Sequence, residues 1–359
     1  MFYVFLGIFL LIWSFSFIVI VFRIRKFKFF QYINKKNAPL ITITLVLLFY
    51  FSIRTKLVNI YTVTVIILHL AVIWLICDFV AFIIKKLRKE DFKRYYAGGF
   101  AILLTVIYLS FGWFFAHHIY RTDYTVYTSK NLGRKSIRVV EVADAHLGAT
   151  LNGDEFAKET EKIQKLNPDI VIIAGDFVDN DSKKSDFKKA YKALDKLKTT
   201  YGVYYIYGNH DESFGFTHKL RKEMQKYNIK ILEDEKVLIN NSLYLIGRND
   251  KSYESRKDMQ TLTADIDKSK YMLVADHQPN DYKAQEKSGV DLVISGHTHG
   301  GHMFPAGYIG LISGANDKIY GLEKRNNTTF IVSSGISGWA IPFKTGAISE
   351  FVVIDIKQK

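Results

Sequence analysis

The sequence predicts a membrane-bound chain of two parts: an N-terminal four-helix transmembrane region, then an α/β domain. Three observations carry that prediction. Four long apolar runs fill the first 120 residues, basic residues gather in the loops between them, and strand-like and helix-like segments alternate from residue 136 onward. The chain has 359 residues, with 49 Lys and Arg against 35 Asp and Glu, a formal charge of +14. A hydrophobic content of 48% excludes an intrinsically disordered chain. A single cysteine, Cys77, excludes a disulfide scaffold.

The apolar runs lie near residues 2–22, 38–54, 60–84 and 97–119. A spanning helix needs about 20 apolar residues. The second run, opened by Pro39, is the shortest and spans only if Asn37 or Arg54 reaches back to the interface. None of the runs has the polar face of a helix packed in a soluble core. Phe2–Phe22 lacks the basic start and small-residue cleavage site of a signal peptide, so it reads as a permanent helix. Residues 1–120 hold 14 basic and three acidic residues, leaving 35 and 32 of the totals for residues 121–359. The membrane region therefore carries +11 and the rest only +3. A nearly neutral second part argues against nucleic-acid binding. Loops 23–37 and 85–96 hold six Lys and Arg each, whereas Arg54 and Lys56 alone lie between the second and third runs. Basic loops stay in the cytoplasm. This predicts a multi-pass protein of the cell membrane, with both termini and the second domain outside the cytoplasm, provided the second run spans. His69 and Asp78, inside the third run, are either functional groups within the span or, the favoured reading, inward-facing groups bonded within the bundle or interfacial ones.

Residues 121–135 are polar and read as a linker; residues 136–359 read as the second domain. Strands are expected at Ser136–Ala143, Asp169–Ala174, Val203–Tyr207, Val237–Ile239, Leu243–Ile246, Tyr271–Ala275, Asp291–Ser295, Thr329–Ser333 and Glu350–Ile356. Helices are expected at Asp154–Leu166, Ser185–Lys198, Thr217–Tyr227 and around 256–268, with a hairpin turn at Asn240-Asn241. Five strands end in donor-rich blocks. These are Asp144-Ala145-His146, Gly175-Asp176 through Asp179, Gly208-Asn209-His210-Asp211, Asp276-His277, and Gly296-His297-Thr298-His299-Gly300-Gly301. Ligands of α/β sheets collect at the carboxyl ends of strands. Oxygen and nitrogen donors without sulfur suit two divalent metal ions, such as Mn, Fe, Zn, Co or Ni, sharing one carboxylate.

The ordered blocks D-x-H, G-D-x-x-D, G-N-H-D, a lone His and G-H-x-H resemble the calcineurin-like metallophosphoesterases over residues 136–356. The resemblance implies a layered β-sandwich flanked by helices and hydrolysis of a phosphomonoester, phosphodiester or pyrophosphate bond by a metal-bridging hydroxide. It implies that Asp144, His146 and His299 hold one metal, that Asn209, His277 and His297 hold the second, and that Asp176 bridges them. His210 is then the acid or charge stabiliser at the leaving oxygen, with Asp179 orienting its ring. Asp211 reads as shaping its loop and His218, in a basic helix, as a surface or core imidazole; His302, close after the terminal block, either touches substrate or, the favoured reading, supports the structure around the site; Asn249 and Asp250 lie at a strand end that can face the site.

Protein phosphatases of this superfamily carry Arg-Gly after the second Asp and Glu after G-N-H. Here Asn180-Asp181 follows Asp179 and Asp211 follows His210, which argues against a phosphoprotein substrate. The segment Ser333–Gly346 resembles a bacterial membrane-associated branch, some of whose members are similar to UDP-2,3-diacylglucosamine hydrolases. Lys344 stands where that branch commonly has Arg, offering a point charge instead of a fork. Trp339, Ile341 and Phe343 form either an apolar wall for a lipid or base, or a packed C-terminal loop. The expected partners are the lipid bilayer and a phosphoester, lipid-linked or nucleotide. The alternative is a membrane sensor or transporter-like protein whose domain binds metal without turnover.

Overall fold

The computed structural model describes residues 2–28, 37, 40–41, 43–44, 47–48, 51, 59–90, 92, 94–179, 182–213 and 217–359. The chain divides into two compact units, Met1–Phe111 and Gly112–Lys359.

In the first unit, helix α1 spans Phe2–Ile24 and α2 spans Ile60–Arg88; α3, Tyr96–His117, runs on into the second unit. Among the described residues two helices are long and apolar enough to cross a membrane, Tyr61–Arg88 and Tyr96–His117, with Leu11–Ile24 a shorter apolar stretch. The described residues thus bear out two of the four expected helices by length and composition; most of the second apolar run lies outside the described residues. α2 is capped by Asn59, whose Oδ1 accepts the Thr62 N–H at 3.1 Å, and its last turn carries Lys85, Lys86 and Arg88. The Asp78 carboxylate accepts hydrogen bonds from Arg23 and, at 2.7 Å, from the Tyr95 hydroxyl, which accepts one from Trp74 Nε1. His69 bonds the Val65 carbonyl one turn back. His69 and Asp78 thus both have hydrogen-bond partners within the unit.

The second unit holds two six-stranded mixed sheets, in the orders β1-β12-β2-β3-β4-β5 and β10-β11-β9-β8-β7-β6. The first comprises β1 Ile119–Thr128, β2 Ser136–Val142, β3 Ile170–Ala174, β4 Val203–Ile206, β5 Ile229–Ile231 and β12 Ser349–Gln358. The second comprises β6 Glu235–Ile239, β7 Leu243–Gly247, β8 Tyr271–Ala275, β9 Leu292–Ser295, β10 Gly321–Arg325 and β11 Thr328–Val332. Alternate residues of each central strand face opposite layers. Val139, Ile170, Ile172 and Ile206 meet Leu245, Leu273, Ile294 and Ile331 between the sheets. On the outer face of the first sheet, Val140, Val171 and Ile173 pack under Phe156, Ile163, Tyr191 and Leu194 of helices α4 (Gly153–Gln164) and α5 (Lys184–Asp195). Met272, Val274 and Val293 on the other outer face meet Met259, Leu262 and Tyr282. Burial on both faces explains the unbroken apolar runs IVIIA and YMLVA.

The segment read as a linker is corrected: residues 119–128 form β1, which pairs with β12 along its whole length. β1 is an edge strand with one exposed face, so its Tyr, Thr and Val content gives a strand despite its polarity. The expected helix around 256–268 shrinks to Met259–Thr263. The short strands β5 and β10 at sheet ends are additional to those expected. Asn240 and Asn241 both take left-handed backbone, with φ of 48° and 51°, closing the β6–β7 hairpin.

Candidate active site

β2, β3, β4, β8 and β9 release their last residues at one pole of the two sheets, and the donor side chains converge there. Asp144, His146, Asp176, His297 and His299 all have positive φ, between 34° and 71°. Each such non-glycine residue costs about 1–3 kcal/mol, a strain that persists where a site demands it. Two glycines make the approach possible without positive φ. A Cβ on Gly208 would stand 2.2 Å from Asp176 Oδ1, and one on Gly296 would stand 2.4 Å from Asp144 Oδ2.

Three groups of donor atoms gather, each within 4.8 Å: Asp144, His146 and His299; Asp176, His277 and His297; and His146, Asp179 and His210. Asp176 lies between the first two. Its Oδ2 is 3.2 Å from His277 Nε2 and 3.7 Å from His146 Nε2, while its Oδ1 accepts the His210 N–H at 2.8 Å. Asp144 accepts the backbone N–H of His297 on both oxygens at 3.0 Å. Asn209 opens the short helix Asn209–Ser213 between Gly208 and His210, both of which lie against Asp176.

The chemistry of this donor set fits metal ions. His277 Nδ1 donates to the Ala174 carbonyl at 2.8 Å, and His299 Nδ1 to the Ser337 carbonyl at 3.2 Å. Those bonds assign the ring protons to Nδ1 and aim Nε2 inward, as in metal-binding histidines. The fully buried His277 Nε2 faces Asp176 Oδ2 at 3.2 Å, and His146 Nε2 faces His299 Nε2 at the same distance. Burial first, and then neighbouring cationic rings, push His299 well down and His297 down to about 4, so both are neutral ligands at neutral pH. Burial opposes charge on His277 too, but the Asp176 carboxylate outweighs it and holds the ring protonated. That Nε2 proton is the one a divalent ion displaces.

His210 sits at the rim of this cluster. Its ring is 4.9 Å from His146 and 5.2 Å from Trp339, and its Nδ1 is 3.6 Å from Asp179 Oδ1. Asp179 Oδ2 also lies 3.4 Å from His146 Nδ1, so one carboxylate faces two imidazoles. Burial disfavours the charged His210 ring, yet the Asp179 hydrogen bond and the carboxylates of Asp176, Asp179 and Asp211 hold it above the usual histidine range.

The supporting residues were only partly legible. Asp211 accepts the N–H groups of Phe177, Val178 and Gly208, tying two strand-end loops together; burial, then Asp176, lifts it to about 6. His302 contacts the Ile341 carbonyl and the His299 ring, and burial lowers it to about 3. Asp250 is buried and accepts from Ser252 and Gln278, next to His277. The side chain of His218 lies outside the described residues. Trp339 is partly exposed beside His210 whereas Phe343 is buried, so the C-terminal segment is wall at one end and core at the other. Lys344 is a correction: it is fully buried, and its Nζ donates to the carbonyls of Ser334, Gly335 and Ile348 rather than facing a ligand. Arg248, Arg256 and Gln285 converge on buried Asp276 Oδ2 at 2.7–2.8 Å, a network behind His277 with no signal in the motif spacing. Glu141 is also beyond the motifs, a carboxylic side chain inside β2 with both oxygens buried and without hydrogen-bond partners.

Residues 137–301 match the calcineurin-like phosphoesterase family. An uncharacterized metallophosphoesterase of Aquifex aeolicus is 30% identical over 243 residues, which cover 66% of this chain and 91% of that protein. The chain belongs to the calcineurin-like phosphoesterase family. This calcineurin-like phosphoesterase is also similar to an uncharacterized metallophosphoesterase of Campylobacter jejuni, 31% identical over 63% of this chain and 60% of that protein. A protein from Danio rerio called a transmembrane protein with metallophosphoesterase domain is 27% identical over 62% of this chain and 53% of that protein. The chain spans 60–61% of the length of the first curated relatives it matches. The family uses a dinuclear metal centre, and the clustered Asp and His donors of this phosphoesterase fit one.

Proposed function

We propose that the protein is a multi-pass membrane phosphoesterase that hydrolyses a phosphomonoester, phosphodiester or pyrophosphate bond at the extracytoplasmic face. The observation that carries this reading is Asp176 Oδ2, flanked by His146 on one side and His277 on the other. In this reading Asp144, His146 and His299 hold one divalent ion, Asn209, His277 and His297 hold the other, and Asp176 touches both. Two such ions, when bound, lower the pKa of water and neutralise phosphoryl oxygens. The protein's own groups do the rest. Nδ1–H bonds to Ala174 and Ser337 keep His277 and His299 aimed inward. His210, whose pKa its carboxylate neighbours raise against the opposing effect of burial, carries a proton toward the leaving oxygen. Asp179 fixes the ring that carries it.

Membrane attachment is supported by the helices Tyr61–Arg88 and Tyr96–His117 and by the transmembrane name of the Danio rerio relative. The extracytoplasmic side rests on the basic loops alone. A substrate of the diacylglucosamine kind remains one member of the lipid-linked class that the C-terminal segment brings to mind, beside nucleotides.

The test is hydrolysis by the full chain, purified in detergent and loaded with Mn²⁺, across chromogenic monoesters, diesters and a pyrophosphate. Turnover should appear for at least one class, vanish with chelator, and vanish in Asp176→Asn. Two bound ions with no turnover on any class would favour the sensor reading instead.

A further inference from the structure

The loop after the last metal-site block is uncharged, as residues 326–343 also are. Residues 303–316 contain no Asp, Glu, Lys or Arg, in a chain that is 23% charged. The loop is not buried. Phe304, Tyr308, Ile309, Leu311 and Ile312 are all exposed, Ile309 at 68% and Ile312 at 85%. Phe304, Tyr308 and Leu311 border a cavity of about 460 Å³ together with Lys318 and Glu323, whereas Ile309 and Ile312 lie outside its lining. Clustered exposure of this kind marks an interaction surface.

The chain's own connections identify what covers it. β12 runs antiparallel to β2, so β12 starts at the pole where β2 ends in Asp144 and His146. β1 is parallel to β12 and starts level with it, Ile119 opposite Ser349. The apolar helix α3 ends at His117, one residue before β1 begins. Its last turns, residues 112–117, are bonded to the same pole: Lys344 N donates to the Gly112 carbonyl at 2.8 Å and Ser349 Oγ to the Ala116 carbonyl at 3.0 Å. The adjoining Thr345 donates its N–H to the His302 carbonyl, and its hydroxyl accepts the Phe304 N–H at 3.0 Å. The helix end and the apolar loop are thus held on one short stretch of backbone. Trp113 and Phe114 are exposed on that helix end, the residue types that sit at a membrane interface.

We infer that residues 303–312 seat in the interfacial layer of the membrane that α3 crosses, so that the metal-site pole faces the bilayer. The occupant of the apolar surface is lipid. The geometry suits this: the helix leaves the bilayer at this pole, and an uncharged aromatic and aliphatic loop beside it has its apolar side chains turned outward. The inference rests on α3 spanning the membrane and is independent of whether the site turns over.

Environment-sensitive fluorescence tests it. Full-length protein carrying Cys77→Ala, so that no native thiol remains, is labelled with a nitrobenzoxadiazole probe at Ile312→Cys or Ile309→Cys. Leu238→Cys serves as control, because Leu238 is exposed on β6 beside the Asn240-Asn241 turn, at the opposite pole. The proteins are placed in nanodiscs of phosphatidylcholine and phosphatidylglycerol. Probes at 309 and 312 should emit to the blue of the control and lose about half their intensity when the lipid is brominated, with little quenching by aqueous iodide. The Leu238 probe should behave oppositely. Iodide quenching at 309 and 312 equal to the control would overturn the inference. So would protection from both quenchers, which would mean that protein covers the loop. A chain that fails to enter nanodiscs would remove the span, and the inference with it. Metal-dependent turnover is scored separately on the unlabelled protein, so failure of one reading does not hide in the other.

Discussion

At the residue scale, the proposed function separates candidate metal-holding groups from a candidate proton-carrying group. The inward Nε2 atoms of His277 and His299 depend on bonds made by the other ring nitrogen, so ligand quality is set by two backbone carbonyls. His210 faces a carboxylate, with its Nδ1 3.6 Å from Asp179 Oδ1. Replacing it by Ala should lower kcat by roughly a hundred- to ten-thousand-fold with bound metal unchanged, measured by turnover alongside metal analysis. The sign of the pH dependence follows from its raised pKa. His210 supplies a proton only below that value, so kcat should fall as pH rises through it, and that alkaline limb should disappear in His210→Ala. Gly208→Ala is the sharpest steric test, since the added methyl meets Asp176 Oδ1 at 2.2 Å. It should abolish metal retention while leaving far-UV circular dichroism intact.

At the element scale, the informative units are strand ends. The motif residues were readable because glycine, carboxylate and imidazole interrupt strongly apolar strands, and chemistry of that kind is rarely left at a strand end by accident. What lies behind the motifs was not readable. Arg248 and Asp276 are 28 positions apart and meet only once β7 and β8 pair. Arg248→Met should remove one of the two guanidinium partners of buried Asp276, leaving Arg256 and Gln285 in place, and cost about 1.5–3 kcal/mol in denaturant unfolding. Edge strands were lost for the opposite reason: β1 has one solvated face, and its polarity imitates a linker. Lys344 shows the same limit, because sequence gives its charge but not the three carbonyls that consume it. Glu141 offers a linkage test. Burial, then Glu350 and Asp144, raise its folded pKa far above the unfolded value of 4.5. Its contribution is therefore favourable below the unfolded value and is lost as pH rises through the folded one. Glu141→Gln should flatten that loss in urea unfolding measured across pH.

At the scale of the whole molecule, the charge of +14 is mostly a statement about loops beside apolar helices. It predicts a side for the phosphoesterase domain: protease added outside intact cells should release it, and complete protection there would place it in the cytoplasm. The topology adds a constraint that composition lacks, since α3 enters the sandwich at the pole where the donor groups converge. The central claim, that this constellation is a two-metal hydrolytic site, is tested most directly by titrating Mn²⁺ into metal-free full-length protein while following turnover of the best ester from the panel. The account predicts turnover that is complete at two ions per chain, with Asp176→Asn losing both turnover and metal retention. Full turnover in the metal-free protein, or in Asp176→Asn, would contradict it.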